Sequence, residues 1–120
     1  MPSITYLGCP YAHDDPEVQD QRAKIVSAFA TKLIRRGEIV FSPISMMSAI
    51  FNNSSKEDLE WLRSKGWNHW RKYDVTLLRY CQKIAVLMLP GWTESVGLTE
   101  EIRIANELDL IIEFYAEGDL

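Results

Sequence analysis

An uninterrupted apolar segment, IAVLMLP at residues 84–90, constrains the fold of this chain more than any other feature. Its length suits a strand, and a strand without alternating polar residues is buried on both faces. Strands of this kind occur in parallel sheets that helices cover on both sides. The segment therefore predicts an α/β protein built on a central, mainly parallel sheet.

Strands and helices alternate on both sides of this segment. Asp15 and Pro16 are typical of a helix start, and Gly37 of a helix end. The 45–51 stretch suits either a short helix or a loop. The alternation predicts a single domain over residues 1–120, with a doubly wound sheet of about four to five strands flanked by helices. The predicted strands are 3–8, 38–43, 84–90 and 110–114, and the predicted helices are roughly 16–36, 54–66, 67–82 and 96–109.

Composition limits the classes of function. Apolar residues make up 47% of the chain and the formal net charge is -4, which suits a globular protein without a basic groove for nucleic acid. Two cysteines are too few for a disulfide scaffold, so we expect reduced thiols in the cytoplasm. Cys9-x-x-x-His13 lacks a second ligand pair at zinc spacing, so neither a metal nor a cofactor is expected. We expect no signal peptide and no membrane partner.

Polar loops follow two of the predicted strands. YLGCPYAHDD at residues 6–15 runs from the first strand into its loop, and LPGWTES at 89–95 follows the apolar segment. Ligands in parallel α/β folds bind beyond the carboxyl ends of the strands. The sequence therefore predicts that these two loops lie side by side at a ligand-binding edge.

Charged residues interrupt the apolar faces of three predicted helices. Asp74 and Arg22 lie inside the apolar stripes of their helices, at about 100° per residue. Glu101 lies inside a stripe formed by Leu98, Ile102, Ala105 and Leu108, whereas Glu100, Arg103 and Glu107 lie on the opposite, solvated face. A buried charge without a partner costs several kcal/mol. Either these charges pair with one another, for example Arg22 with Asp74, or they serve a site.

Glu101 is the strongest site candidate of the three. It lies in the first turns of a helix that follows a loop containing Gly91, Ser95 and Gly97. The amides of such a loop are suited to hold anionic or polar groups of a substrate. A carboxylate in this position indicates a site at the helix start.

The order and spacing of several segments resemble the nucleoside 2-deoxyribosyltransferase superfamily, including its relatives that hydrolyse nucleoside 5'-monophosphates. More narrowly, the chain resembles small phage and bacterial members, over nearly its whole length. The segments that carry the resemblance are YLGCPYAH at 6–13, GEIVFSPI at 37–44, Asp74 before LLRYC, and VLMLPGWTESVGLTEEIRIA at 86–105. The most specific part is Ser95-x-Gly97-x-x-x-Glu101-x-x-x-Ala105.

This resemblance implies roles for individual residues. Glu101 would attack the anomeric carbon of the sugar, and Asp74 would assist at the base. Tyr11 and its loop would line the pocket, and Ser95 would contact the 5' end, where monophosphate hydrolases tend to carry a serine. The candidate substrate-binding residues are Gly8, Cys9, Tyr11, His13, Arg22, Gly91, Ser95 and Gly97. The chain departs from the family just before the third strand, where Cys81-Gln82-Lys83 replaces a usual aspartate.

The resemblance also implies a flavodoxin-like fold, a homodimer or higher oligomer whose subunits complete each other's sites, and cleavage or transfer of an N-glycosidic bond on a nucleoside or nucleotide. A different interpretation is a non-catalytic module of the same fold that binds a nucleotide. A third is an oligomeric interaction module. The segment from 46 to 69 and its flank, with Trp61, Trp67, His69 and Trp70, matches no site pattern of the family, and its tryptophans are expected to pack a core or an oligomer interface rather than stack a base.

Overall fold

A computed structural model describes residues 3–120 of the chain. Four strands and five helices alternate, with one short 3₁₀ turn before the last helix. In chain order the elements are β1 Ile4–Gly8, α1 Pro16–Arg35, β2 Ile39–Phe41, α2 Pro43–Asn53, α3 Lys56–Ser64, α4 Trp67–Leu78, β3 Lys83–Leu87, the 3₁₀ turn Trp92–Glu94, α5 Val96–Glu107 and β4 Ile111–Tyr115.

The four strands form one parallel sheet in the order β2-β1-β3-β4. This is the flavodoxin-like order with four strands, and it confirms the predicted doubly wound α/β fold. The apolar segment is the centre of the sheet, because β3 lies between β1 and β4. The ambiguous 45–51 stretch belongs to a helix, α2.

Alternating side chains of the central strands build two separate cores. Tyr6, Ile84 and Val86 pack with Leu78 and Leu98 on the face that α4 and α5 cover. The other face carries the side chains one position further on, which pack against α1. That second core includes Leu7, Ala85, Leu87, Val26, Phe29 and Leu33. Burial on both faces explains why the 84–90 segment has no polar residue.

Local signals fix most helix ends. Asp15 caps α1 by accepting a hydrogen bond from the Glu17 amide, and Ser55 and Ser95 cap α3 and α5 in the same way. The predicted helix from residue 67 to about 82 is shorter than expected. It corresponds to α4, which ends at Leu78, so the predicted end was wrong.

The apolar stripe of α5 also differs from the prediction at its end. Leu108 lies past the last helical turn and is 40% exposed. Ile104 is buried in its place, because α5 meets the sheet along a line that passes through Leu98, Ile104 and Ala105. The buried face of α5 was therefore predicted correctly for its first two turns. It was predicted incorrectly at the end of the helix, where Ile104 rather than Leu108 is buried.

The chain reverses its direction of winding between β1 and β3. The loop after β1 leads to α1 on one face, and the loop after β3 leads to α5 on the other face. The loops that follow these two neighbouring strands therefore diverge, and a crevice is expected between them beyond the carboxyl ends of the strands. None of the helices in the described region is long and apolar enough to cross a membrane.

Candidate active site

The carboxyl group of Glu101 lies over the end of β1, in the crevice. The Tyr6 hydroxyl donates a hydrogen bond of 3.1 Å to Glu101 Oε1. The other oxygen, Oε2, is so close to Gly8 that a Cβ at this position would lie 2.8 Å from it. A side chain on residue 8 would therefore have to displace the Glu101 carboxyl group. The predicted inward orientation of Glu101 is confirmed.

Two carboxyl groups share this environment without a cation. Glu101 and Asp74 are both partly buried, and within residues 3–120 neither forms an ion pair. Burial, and then the charge of Asp74, raise the pKa of Glu101 to about 8, against a smaller lowering by the Tyr6 hydrogen bond. Burial raises the pKa of Asp74 to about 6. Near neutral pH the pair therefore holds one proton.

A small cavity lies between these acids. Its volume is about 20 Å³, which is room for about one water molecule. Trp67, Arg71, Asp74 and Val75 of α4 line one side, and Gly97, Glu100 and Glu101 of α5 line the other. Trp67 is the lining residue most open to solvent among the large apolar ones, at 49% exposure. The cavity is closed to anything the size of a sugar.

The adjacent glutamates of α5 have opposite environments. Glu100 Oε1 accepts hydrogen bonds from Arg71 Nη2 at 2.5 Å and from Arg103 Nη2 at 2.6 Å. These two guanidinium groups lower the pKa of Glu100 to about 2. The prediction that Glu100 is simply solvated was wrong, because it is held between two arginines. Glu101, one residue later, forms no ion pair with an arginine or lysine within residues 3–120.

Arg22 does not pair with Asp74, contrary to one of the two sequence-based interpretations. The two residues lie on opposite faces of the sheet, since α1 covers one face and α4 the other. Arg22 Nη1 donates to the carbonyl oxygens of Tyr11 at 3.3 Å and Ala12 at 3.1 Å, and Nη2 donates to Pro90 O at 3.1 Å. Arg22 thus joins the loop after β1 to the loop after β3.

The loop after β1 supplies both buried and exposed candidates. Cys9 is buried, and burial raises the pKa of its thiol to about 12, so it is not a thiolate nucleophile near neutral pH. Tyr11 is partly buried, which raises its pKa. His13 is exposed, and its Nδ1 accepts a hydrogen bond of 2.9 Å from the Asp15 amide. Cys9 belongs to the core on the α1 face, and neither Cys9 nor Tyr11 lines the small cavity or the larger one beside α1, whereas His13 orders the approach to α1.

The loop after β3 ends at the start of α5. Gly91 has φ of 88°, a left-handed conformation that favours glycine, and a Cβ there would also lie 3.3 Å from Arg22 Nη2. Ser95 Oγ accepts a hydrogen bond of 3.2 Å from the Leu98 amide, so its hydroxyl proton can still be donated to a ligand. Gly97 packs against the Trp67 ring, where a Cβ would make an ordinary contact at 3.6 Å.

A second, larger cavity lies on the other face of the sheet, between α1 and the loop after β3. Its volume is about 320 Å³. Arg22 borders it, and the remaining lining residues are Asp15, Glu17, Val18, Gln21, Ile25, Leu89 and Pro90. The small cavity with Glu101 and Asp74 and the larger cavity with Arg22 have no lining residue in common.

Tyr6 and Arg71 belong to the site but were not predicted from the sequence. Tyr6 lies two positions before Gly8 in a strand and so faces the same side of the sheet, which is a signal that a strand assignment contains. Arg71 lies three residues before Asp74 and so shares its helical face. Trp67 was considered as a stacking or interface residue, and it lines the cavity beside both acids.

The segment that departs from the resembled family has a structural role. Gln82 Oε1 accepts a hydrogen bond of 2.7 Å from the Ile4 amide, which ties the start of β1 to the start of β3. Lys83 forms ion pairs with Glu38 at 2.5 Å and Glu113 at 2.8 Å. These contacts centre on Gln82 and Lys83 at the amino end of β3, away from the carboxyl ends of the strands.

The fold and the crevice define the class of protein: an α/β domain with an uncompensated pair of acids at the carboxyl edge of a parallel sheet. Within residues 3–120 no group of three or more His, Cys, Asp or Glu residues is arranged to hold a metal ion. The chain belongs to the family described as domain of unknown function DUF1937, whose model matches residues 3–117. No curated protein matches the chain.

Proposed function

We propose that this protein cleaves or transfers the N-glycosidic bond of a nucleoside or nucleoside 5'-monophosphate, with Glu101 as nucleophile and Asp74 as proton donor. The observation that carries the proposal is the pair of partly buried carboxyl groups without a cation. Such a pair is costly to stability and perturbs both pKa values, which is typical of catalytic sites. Sequence resemblance to the nucleoside 2-deoxyribosyltransferase superfamily supplies the reaction class.

In the first step the glycosidic bond breaks. The transition state has oxocarbenium character, and the Glu101 carboxylate stabilises it and then bonds to C1' of the sugar. The electron pair of the C1'–N bond leaves with the base, and Asp74 transfers its proton to the base. The step requires one proton on the pair, held by Asp74 while Glu101 is ionised, which is the minor of the two distributions because Glu101 has the higher pKa. The Tyr6 hydroxyl favours that distribution because it donates to the Glu101 carboxylate.

In the second step the glycosyl ester breaks. With water as acceptor, Asp74 removes a proton from the water, the oxygen bonds to C1', and Glu101 is released as a carboxylate. With a second base as acceptor, the base nitrogen takes the place of the water and the enzyme is a transferase. Both routes return the pair to one shared proton.

The shared proton sets the pH range of the reaction. Below about pH 6 both carboxyl groups are protonated, and Glu101 is a poor nucleophile. Above about pH 8 both are ionised, and no acid remains for the base. A plot of kcat/KM against pH is therefore expected to be bell-shaped with its maximum near neutrality.

The closed cavity means that substrate must displace side chains. About 20 Å³ is too small for a sugar, so the walls formed by α4 and α5 must separate. Trp67 is the best candidate to move, because it is half exposed in the first turn of α4 and rests on Gly97, which has no side chain. An oligomer in the cytoplasm whose second subunit completes the site remains part of this proposal.

Ser95 favours a 5'-monophosphate over a nucleoside. Its hydroxyl is free to donate, and the first amides of α5 lie beside it. Glu94, the neighbour that could repel a phosphate, is exposed and accepts a hydrogen bond of 2.8 Å from Thr93 Oγ1. It is therefore engaged outside the crevice.

The second candidate function is a non-catalytic nucleotide-binding module. The specific observation in its favour is the closed cavity together with a Glu101 that is mostly protonated at neutral pH. Such a site is suited to hold a ligand by hydrogen bonds without attacking it.

A panel assay separates the two candidates. The protein is incubated with purine and pyrimidine nucleosides, deoxynucleosides and their 5'-monophosphates, and free base is measured by chromatography. We expect base release from at least one monophosphate, and its absence in Glu101→Gln. A thermal shift with a nucleotide and no base release from any member of the panel assigns the binding function instead.

A further inference from the structure

The hydrogen bonds of Arg22 are not explained by its charge or by its position in α1. Its guanidinium donates three hydrogen bonds, all to backbone carbonyls and none to an acid. Two of the acceptors, Tyr11 and Ala12, belong to the loop after β1, and the third, Pro90, belongs to the loop after β3. A single side chain thus bridges the two loops, and Pro90 lies 68 residues from Arg22 in the sequence.

The shape of the guanidinium suits this task. It presents several donors in a fixed plane, so it can hold three acceptors at once, whereas a lysine ammonium on a flexible stem holds them poorly. The chain accommodates the group at Gly91, where any Cβ would lie 3.3 Å from Arg22 Nη2. Arginine at position 22 and glycine at position 91 are therefore geometrically matched.

We propose that Arg22 is a positioning residue that sets the distance between the two walls of the crevice, and thereby the position of Glu101 relative to Gly8. The loop after β1 continues from Gly8, which Glu101 Oε2 touches, and the loop after β3 leads into α5, which carries Glu101. Separation of the loops therefore moves the carboxyl group and its nearest backbone contact apart. This inference rests on the proposed function where it concerns rate, and on the geometry alone where it concerns loop order.

The open cavity beside Arg22 offers a direct way to test the inference. At about 320 Å³ it is large enough to admit a free guanidinium ion when the side chain is truncated. In Arg22→Ala, millimolar guanidinium is then expected to occupy the vacated position, far below the concentration that unfolds proteins. Rescue of this kind requires a specific site and does not occur when a residue is merely part of the surface.

The first measurement is hydrogen exchange and needs no substrate. The reporters are the amides of Asp15, which bonds to His13, and Trp92, which bonds to Leu89 O. Arg22→Ala is expected to speed their exchange about tenfold, and guanidinium is expected to reverse the change. The Gly37 amide, bonded to Ile34 O at the far end of α1, is expected to stay unchanged. Lys24→Ala, which removes an exposed cation from the same helix, is the matched control.

The second measurement is base release, with KM and kcat determined separately. In Arg22→Ala we expect kcat to fall about 10- to 100-fold with KM changed less than about threefold, since misplacement of a reacting group acts on the chemical step. Guanidinium is expected to restore much of kcat, and Arg22→Lys to restore less. Circular dichroism verifies that each variant is folded, and Arg22→Lys replaces Arg22→Ala in both measurements if the latter unfolds.

The two measurements separate the inference from the proposed function. Unchanged exchange at Asp15 and Trp92 in the folded variants overturns the positioning role, whatever the activity. Altered exchange that guanidinium reverses supports it, even if no substrate in the panel is cleaved by the wild type. An active wild type whose Arg22 variants keep full kcat overturns the link between loop spacing and catalysis while leaving the proposed reaction intact.

Discussion

The two ends of the sheet hold acids in opposite circumstances. At the amino end, Glu38 and Glu113 share the ammonium group of Lys83. Lys83 is the first cause of the lowered pKa of Glu113. At the carboxyl end, Glu101 and Asp74 share no cation, and both pKa values are raised. At the amino end, a lysine compensates the charge of the acids. At the carboxyl end, Glu101 and Asp74 have no such cation, and near neutral pH one of the two carboxyl groups is protonated instead.

This contrast indicates which end was shaped by stability and which by function. The acids paired with Lys83 tie β2, β3 and β4 together. Two neighbouring acids that form no ion pair, such as Glu101 and Asp74, lower the stability of the fold. Natural sequences keep buried acids of this kind where catalysis or binding requires them.

The largest expected effect is the loss of activity in Glu101→Gln. Glutamine keeps the shape of the side chain but does not form a glycosyl ester, so kcat is expected to fall at least about 10⁴-fold. Glu107→Gln, an exposed position on the same helix, is the matched control and is expected to retain its rate. Base release by the purified variants measures both. A rate for Glu101→Gln close to that of the wild type removes Glu101 from the nucleophile role.

The next effect concerns Asp74, which is expected to assist only the departure of the base. Asp74→Asn should lower kcat about 10²- to 10³-fold for ordinary nucleotides, within the range of general acid catalysis. An N7-alkylated purine leaves without needing a proton, so the loss for such a substrate should be several-fold smaller. Equal losses for both substrates, in parallel kinetic assays, contradict the role of Asp74 as acid.

Much of this site could be predicted from the sequence, because its parts are local. Glu101 lies three residues after the buried Leu98 and Asp74 lies four residues before the buried Leu78. Residues at this spacing share a helical face, so both acids were predicted to point toward the sheet. The loops meet at one edge because β1 and β3 are parallel neighbours. The fold followed from the same periodicities, since an apolar central strand leaves few architectures open.

The parts that sequence did not predict depend on contacts between distant elements. Glu100 looked solvated because its arginine partner Arg71 belongs to another helix. The hydrogen-bond acceptors of Arg22 are backbone carbonyl groups. Every residue has one, so the sequence does not show which of them Arg22 contacts. The network around Lys83 joins residues from three strands or their ends, and no spacing rule connects them.

The third prediction uses the dependence of stability on pH. The pKa of Glu101 rises from about 4.5 in the unfolded chain to about 8 in the fold, so the folded state binds the extra proton between these values. This contribution to stability is complete below about pH 4.5 and is lost as pH rises to about 8. Glu101→Gln should match the wild type at pH 4 and exceed its stability by roughly 2–4 kcal/mol at pH 9.

Urea unfolding across this pH range measures the difference. Glu113→Gln provides the comparison from the other end of the sheet, since the pKa of Glu113 is lowered and its contribution is lost as pH falls. Both variants should therefore match the wild type at low pH and diverge from it as pH rises, Glu101→Gln toward higher stability and Glu113→Gln toward lower stability. If the stability of Glu101→Gln parallels that of the wild type at every pH, Glu101 is not perturbed by burial.

The fourth prediction concerns the stability of the amino end. Lys83→Met removes the shared cation and leaves Glu38 and Glu113 facing each other, with the Thr5 hydroxyl still donating to Glu38. We expect a loss of about 2–3 kcal/mol, less than for a fully buried pair because solvent reaches the Lys83 side chain. The measurement is denaturant unfolding, with Lys24→Met as an exposed control. Activity per folded molecule should be unchanged, and a large loss of rate without loss of stability contradicts the division between the two ends.

The smallest expected effect is that of Tyr6→Phe, which removes one hydrogen bond from a fully buried ring. The hydroxyl lowers the pKa of Glu101, so its loss should raise that pKa and move the alkaline limb of the kcat/KM profile to higher pH. We expect kcat to fall about tenfold, the usual scale for a hydrogen bond to a charged group. Tyr115→Phe removes the matching tyrosine–glutamate bond, to Glu113 at the other end of the sheet. It should leave the profile unchanged, and a shift of equal size in both variants indicates that the two ends of the sheet are coupled rather than independent.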